Sequence, residues 1–154
     1  MSTAVGIKSF ISIDDKIKPQ AIPAGYGSPV FVIFTSMSRT LKAMEKACEL
    51  AHPLQAGIEV IAVETVPFTL PLDTPPVPFE FLVRHLEEMA NHFREPTTIS
   101  AYLCRDDWEA LKRALNPNCP VVIGVRKMWW LTHDGRIVRK LRHAGYKVIC
   151  VEME

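Results

Sequence analysis

The chain lacks close cysteine pairs, long apolar runs and an excess of charge of either sign, and each shortage excludes a class of protein. Its four cysteines, Cys48, Cys104, Cys119 and Cys150, form no C-x-x-C pair. Zinc ribbons and redox dithiols need that spacing to converge two thiolates on one centre, so both are excluded. Each cysteine stands among apolar or small residues, where a reduced thiol behaves as a small hydrophobe. A reducing compartment, the cytoplasm, is therefore expected. No run of about 18 apolar residues exists to span a membrane. The N-terminus has no basic region leading into an apolar core, and Asp14-Asp15-Lys16 interrupts it, so no secretory signal is expected. With 18 Lys and Arg against 17 Asp and Glu, the net charge of +1 supports neither nucleic-acid binding nor membrane attachment.

Glycine is scarce where it would matter most. Cys119-Pro120-Val121-Val122-Ile123-Gly124 reads as a buried strand ending on a glycine. Many nucleotide-binding α/β proteins follow such a strand with further glycines, whose bare backbone lets amides approach phosphate. This chain continues instead with Val125, Arg126, Lys127 and the bulky Met128-Trp129-Trp130. A phosphate cradle is missing from a scaffold otherwise suited to one.

What is present is an alternation of strands and helices within 154 residues, enough for one domain with a substantial core. Residues 1–28 read as an N-terminal extension, in which Lys8 to Ile13 has the pattern of a short strand. From residue 29 to 154 the pattern is that of a single α/β domain. Pro29 to Phe34 is a continuous apolar run, the mark of a strand buried on both faces. Ser38 to Leu50 carries Leu41, Met44 and Cys48 at helical spacing, with Ser38 expected as its N-cap. Gly57 to Val63 is a second strand, and Phe79 to Phe93 a helix with Leu82, Leu86, Met89 and Phe93 on one stripe. Thr97 to Leu103 is a third strand. Asp106 and Glu109 are spaced as a capping box opening a third helix. Val121 to Val125, Gly135 to Ala144 and Tyr146 to Val151 complete the series as strand, helix and strand. Such alternation forces parallel pairing with right-handed crossovers, hence a doubly wound open sheet covered on both faces. Between Pro67 and Pro78, five of twelve residues are proline, which excludes helix and central strand. This segment reads as a stiff connector, with a lid or partner-binding segment as its alternative.

Three strings resemble the universal stress protein family. Val32 to Met44 is similar to the family's first strand, loop and helix, and Gly57 to Val63 to its second strand. Cys119 to Gly124 with His143 to Val151 resembles its closing portion. The resemblance covers about Pro29 to Glu152. It implies a five-stranded parallel sheet in the order 3-2-1-4-5, Rossmann-like and of the adenine-nucleotide-hydrolase type. The chain departs from the family's ATP-binding pattern at nearly every position. Thr35 stands where ATP-binding members carry an acidic residue. Lys127 replaces their second glycine, and Asp134-Gly135-Arg136 lies out of register with their Gly-Ser or Gly-Thr pair. Gly124 alone is retained.

In a doubly wound sheet, ligands bind outside the carboxyl ends of the strands at the point where strand order reverses. In the family order, Thr35, Ser36, Ser38 and Arg39 meet Gly124, Arg126 and Lys127 there. Hydroxyls, helix amides and three cations would suit a phosphate or carboxylate. The alternative is that Ser38 caps its helix while the cations are solvated or paired. His85, Glu88 and His92 share a helical face, but the two imidazoles are two turns apart, too far for one metal ion. His133-Asp134 has the makings of a proton relay but no recognisable nucleophile, so Asp134 is read as a helix cap. Trp108 is expected to anchor the third helix, while one of Trp129 and Trp130 must face solvent.

The resulting expectation is a universal-stress-protein-like regulatory or interaction domain without the family's mode of ATP binding. It would have no catalytic residues, no metal and no cofactor. The alternative is an anion-binding domain taking ATP or another adenine nucleotide through the basic pocket. A homodimer is expected through Tyr146, Val148, Ile149, Cys150 and Val151, because the final strand is an unprotected apolar edge. The extension strand near Phe10 to Ile13 is the rival cover for that edge. A protein partner, or a fused transporter, is the other association considered.

Overall fold

A computed structural model describes residues 5–12, 27–65 and 79–153. The proline-rich segment 67–78 lies outside the described residues. Six strands, β1 (Val5–Ser12), β2 (Gly27–Ile33), β3 (Ala56–Thr65), β4 (Thr97–Cys104), β5 (Pro120–Arg126) and β6 (Lys147–Met153), form one sheet in the order β1-β4-β3-β2-β5-β6. Every pairing is parallel. The last five strands have the 3-2-1-4-5 order expected of a doubly wound sheet. Val5–Ser12 adds a sixth strand beside β4, with Ile7 level with Ile99. The extension strand therefore covers the edge opposite to β6, and it is no rival for the β6 edge.

Four helices, α1 (Met37–Leu54), α2 (Phe79–Ala90), α3 (Asp107–Ala114) and α4 (His133–His143), bury the two faces. On one face α1 contributes Ala43, Met44, Ala47 and Ala51, and α2 contributes Leu86 and Met89, against Val30, Val32, Ile58, Val60, Ile99 and Val122. On the other, Leu111 of α3 and Ile137, Val138 and Leu141 of α4 cover Phe31, Ile33, Ile61, Val121 and Ile123. Strand β2 lies between β3 and β5, and both of its faces are packed, which is why its sequence is apolar without alternation. Trp108 packs half-buried against the second core, as an anchor for α3 should.

Asp106 caps α3 as the spacing predicts, accepting from the amides of Trp108 and Glu109. The other two caps fall elsewhere. Ser36, not Ser38, is the N-cap of α1, because the helix starts one residue before Ser38 and the extended backbone of Ser36 aims its hydroxyl back at the Arg39 amide. Thr132, not Asp134, caps α4 and accepts from the Gly135 amide at 3.2 Å. That leaves the Asp134 carboxylate free to reach across the sheet.

Candidate functional site at the strand reversal

Strands β2 and β5 are adjacent, and their chains leave in opposite directions around the sheet, so α1 and α4 begin on either side of one crevice. Ser36, Ser38, Arg39, Arg126, Lys127 and Met153 line an open cleft of about 340 Å³ there. Five of the seven residues proposed from sequence thus converge. Thr35 and Gly124 are not among the lining residues. They are tied to each other instead, the Thr35 hydroxyl donating to the Gly124 carbonyl at 3.1 Å. The Thr35 amide in turn donates to the hydroxyl of the buried Thr40 at 3.2 Å.

The role of Gly124 is steric. A Cβ at this position would overlap the carbonyl oxygen of Arg39, with the Arg39 carbonyl carbon 2.6 Å away. Only glycine allows the first turn of α1 to settle this closely on β5. Gly135 serves the same purpose at α4, where a Cβ would overlap the Trp129 carbonyl oxygen and lie 2.8 Å from the Trp130 Cα. The bare backbone at both glycines is occupied by the chain itself.

Arg39 is committed in the same way. Its Nη1 donates to Asp134 Oδ2 at 2.8 Å, and its Nε to Ser36 Oγ at 3.0 Å. The pair is mostly sheltered, with side-chain exposures of 15% and 27%. It joins the first turn of α1 to the first turn of α4, where Asp134 also faces the positive end of the helix dipole. Asp134 was missed as a site residue because its partner lies 95 positions away; the only local signal was a carboxylate ahead of Gly135. Arg126 and Lys127 differ from Arg39. Both are exposed, and neither side chain has a hydrogen bond or ion pair among the described residues. The cleft thus keeps two open cations of the three expected.

Other candidates resolve into structural contacts. His133 Nε2 sits 2.7 Å from Asp107 Oδ2, joining α4 to α3, so it pairs with Asp107 and not with the adjacent Asp134. His85 Nδ1 lies 2.9 Å from the Phe81 carbonyl oxygen. Among the described residues no cluster of His, Cys, Asp or Glu is placed to hold a metal ion. Burial raises all four thiols above their ordinary range. Cys104 is pushed up to about 11, and Cys48 higher still with help from the neighbouring Glu95 carboxylate. Burial also raises Cys119 and Cys150, although Arg142 opposes the rise at Cys150. Such thiols are poor nucleophiles at neutral pH. Among the described residues, no helix is long and apolar enough to cross a membrane.

Among the described residues β6 pairs with β5 alone, which makes it an edge strand. Tyr146, Val148, Ile149, Cys150 and Val151 are all half-buried in the single chain. Arg142 donates to the Val148 carbonyl at 3.3 Å, so one edge acceptor is already engaged.

A parallel sheet in this strand order, covered on both faces and with an open cleft at its strand reversal, defines a doubly wound α/β domain. No protein-family model and no curated protein matches the sequence. Nine chains among solved structures match the fold. One is the crystal structure of a universal stress protein in complex with cAMP, 14% identical, covering 80% of this chain and 95% of that one with a TM-score of 0.50. The chain has the universal stress protein fold, as its strand order and the strings around β2, β3 and β5 led one to expect.

Proposed function

We propose that this protein is a regulatory or interaction domain of the universal stress protein kind that does not bind ATP in the family's usual manner and is not an enzyme. One observation carries the reading: the backbone of Arg39 fills the space beside Gly124 while its guanidinium is held by Asp134. A triphosphate would meet occupied space and a carboxylate where ATP-binding relatives offer free glycine amides. Raised, buried thiols support the non-enzymatic assignment. Within this reading the protein works in the cytoplasm as a homodimer joined through β6, and acts on a protein partner or a fused transporter. Nucleotide released from purified protein should be absent by mass spectrometry, and calorimetry should detect no magnesium-ATP affinity tighter than about 1 mM. Micromolar ATP affinity that is lost on Lys127→Glu would sink the reading.

A second reading rests on the cleft itself. Arg126 and Lys127 are two exposed cations without partners among the described residues, beside Ser36 and Ser38 hydroxyls. A small anion such as a nucleoside monophosphate or cyclic nucleotide fits that donor set, and the solved universal stress protein noted above holds cAMP. Calorimetry with cAMP against Arg126→Ala/Lys127→Ala separates the two readings.

A further inference from the structure

We infer that the surface made by the turn before α4 and the outer face of α4 docks an acidic protein segment carrying apolar side chains. The inference rests on the reading of the domain as an interaction module and names the chemistry of its partner.

Three of the six large hydrophobic side chains exposed among the described residues fall within four positions. Met128 is 51% exposed, Trp130 47% and Leu131 71%. Solvent exposure of such residues side by side marks contact surfaces more than chance. They are held on a rigid platform. Trp129 to Leu131 form a single 3-10 turn entered through the left-handed Met128, at φ 60°. The Thr132 hydroxyl donates to the Trp129 carbonyl at 2.6 Å, and Gly135 lets α4 press against the turn. The Trp129 ring packs half-buried on the core with the Arg142 guanidinium 5.7 Å from its centre. The exposed apolar groups are therefore presented with little ordering left to be done on binding.

Charge identifies the occupant. Residues 126–143 hold six Lys and Arg and a single carboxylate, Asp134, which is engaged by Arg39; the other 136 residues hold twelve Lys and Arg against sixteen Asp and Glu. All six cations are exposed. Ile137, Val138 and Leu141 turn inward, which leaves Arg136, Arg139 and Lys140 on the outer face of a helix roughly 16 Å long. Arg126, Lys127, Arg136 and Arg139 have no ion pair among the described residues. An apolar anchor set continued by unpaired cations is complementary to a segment that alternates apolar and acidic side chains. Met128 and Leu131 add exposed apolar surface on which no base can stack, leaving Trp130 as the patch's one exposed ring, so an occupant with apolar side chains matches the patch better than a nucleic acid does.

The test uses fluorescence anisotropy with the full chain and three probes. The first is a labelled 14-residue peptide of alternating Glu and Leu with one Trp, with a Gln-for-Glu version as its control. The others are a labelled 14-nucleotide thymidine oligomer and vesicles of phosphatidylcholine with 30% phosphatidylserine. The Glu peptide should bind at least tenfold tighter than its Gln control and weaken as salt rises from 50 to 300 mM. Trp130→Ser/Leu131→Ser and Arg136→Glu/Arg139→Glu should each cost it tenfold or more. Lys42→Glu/Lys46→Glu on α1 should leave it unchanged, and circular dichroism checks that each variant folds. Absence of peptide binding up to 1 mM overturns the inference, as does binding indifferent to both patch variants, or an oligomer or vesicle that binds tighter than the peptide. A peptide failure with no ATP affinity removes the docking surface alone, whereas ATP binding with intact peptide binding removes the regulatory reading and leaves the surface standing.

Discussion

The Thr35 hydroxyl donates to the Gly124 carbonyl at 3.1 Å, joining the end of β2 to the end of β5 across the strand reversal. An ionised carboxylate accepts hydrogen bonds but cannot donate one, so the acidic residue of ATP-binding relatives would face the Gly124 carbonyl with two acceptors and no proton between them. Thr35 therefore makes a hydrogen bond to Gly124 that an ionised acidic residue could not make. Thr35→Asp should lower stability by about 1–3 kcal/mol without creating ATP affinity. Chemical denaturation and calorimetry on the same sample check both halves.

Gly124→Ala should be among the most damaging single changes. The added methyl would overlap the Arg39 carbonyl oxygen, and backbone cannot move aside as a flexible side chain can. A loss of about 3 kcal/mol is expected, typical of overpacking that displaces an element. A drop under about 0.5 kcal/mol in urea denaturation would show that the first turn of α1 is not pinned there.

Arg39 and Asp134 should be energetically coupled. Their contact is charge-assisted and mostly sheltered from water, which lifts it above the usual surface pair. A double-mutant cycle of Arg39→Met and Asp134→Asn should give a coupling of about 1 kcal/mol. The coupling should shrink only slightly between 0.1 and 0.5 M salt; a value near zero would argue that each helix start is held by its hydroxyl cap alone.

Alkaline pH should destabilise the protein through its thiols. Cys104 is raised from 9.0 to about 11 by burial, so between those values the unfolded chain has lost a proton that the folded chain keeps. Stability is full below pH 9 and falls as pH rises through about 11, by up to about 3 kcal/mol from this group. Cys104→Ala should flatten part of that slope in urea midpoints measured from pH 8 to 10.5. Consistent with the same burial, Ellman's reagent at pH 8 should react slowly with the native protein and with all four thiols once it is unfolded.

The homodimer proposed through β6 depends on its outward backbone groups. A strand residue points its amide and carbonyl to the same side, and Arg142 reaches the Val148 carbonyl, so Val148, Cys150 and Glu152 face away from β5. Cys150→Pro removes one outward donor while sparing the amides of Ile149 and Val151 that face β5. It should shift a dimer toward monomer in light scattering with circular dichroism unchanged. Wild-type protein that stays monomeric at 200 μM would rule the β6 dimer out.

Local sequence determined the elements of this protein, because the periods of its apolar residues are read within one turn of helix or two residues of strand. The unbroken run from Val30 to Ile33 placed that strand at the sheet centre, and the burial of Leu86 and Met89 on α2 and the Asp106 cap followed from spacing alone, whereas α2 ends at Ala90, before Phe93. Seven residues at the strand reversal were legible as neighbours, since a doubly wound order dictates which strand ends meet. Their interactions were not legible. Whether Gly124 cradles a ligand or admits the backbone of Arg39 depends on how closely α1 approaches β5, a distance set by the packing of Met44, Ala47 and Val122. Spacing alone makes Asp134 the cap of its own helix, yet Thr132 takes that role two residues earlier and frees the carboxylate for an arginine 95 residues away. The edge taken by Val5–Ser12 was also decided in three dimensions, because parallel strands carry no local mark of which neighbour they will pair with. Sequence therefore fixes which groups reach the crevice, and only the tertiary structure decides which are already spent on one another and which, like Arg126 and Lys127, remain open.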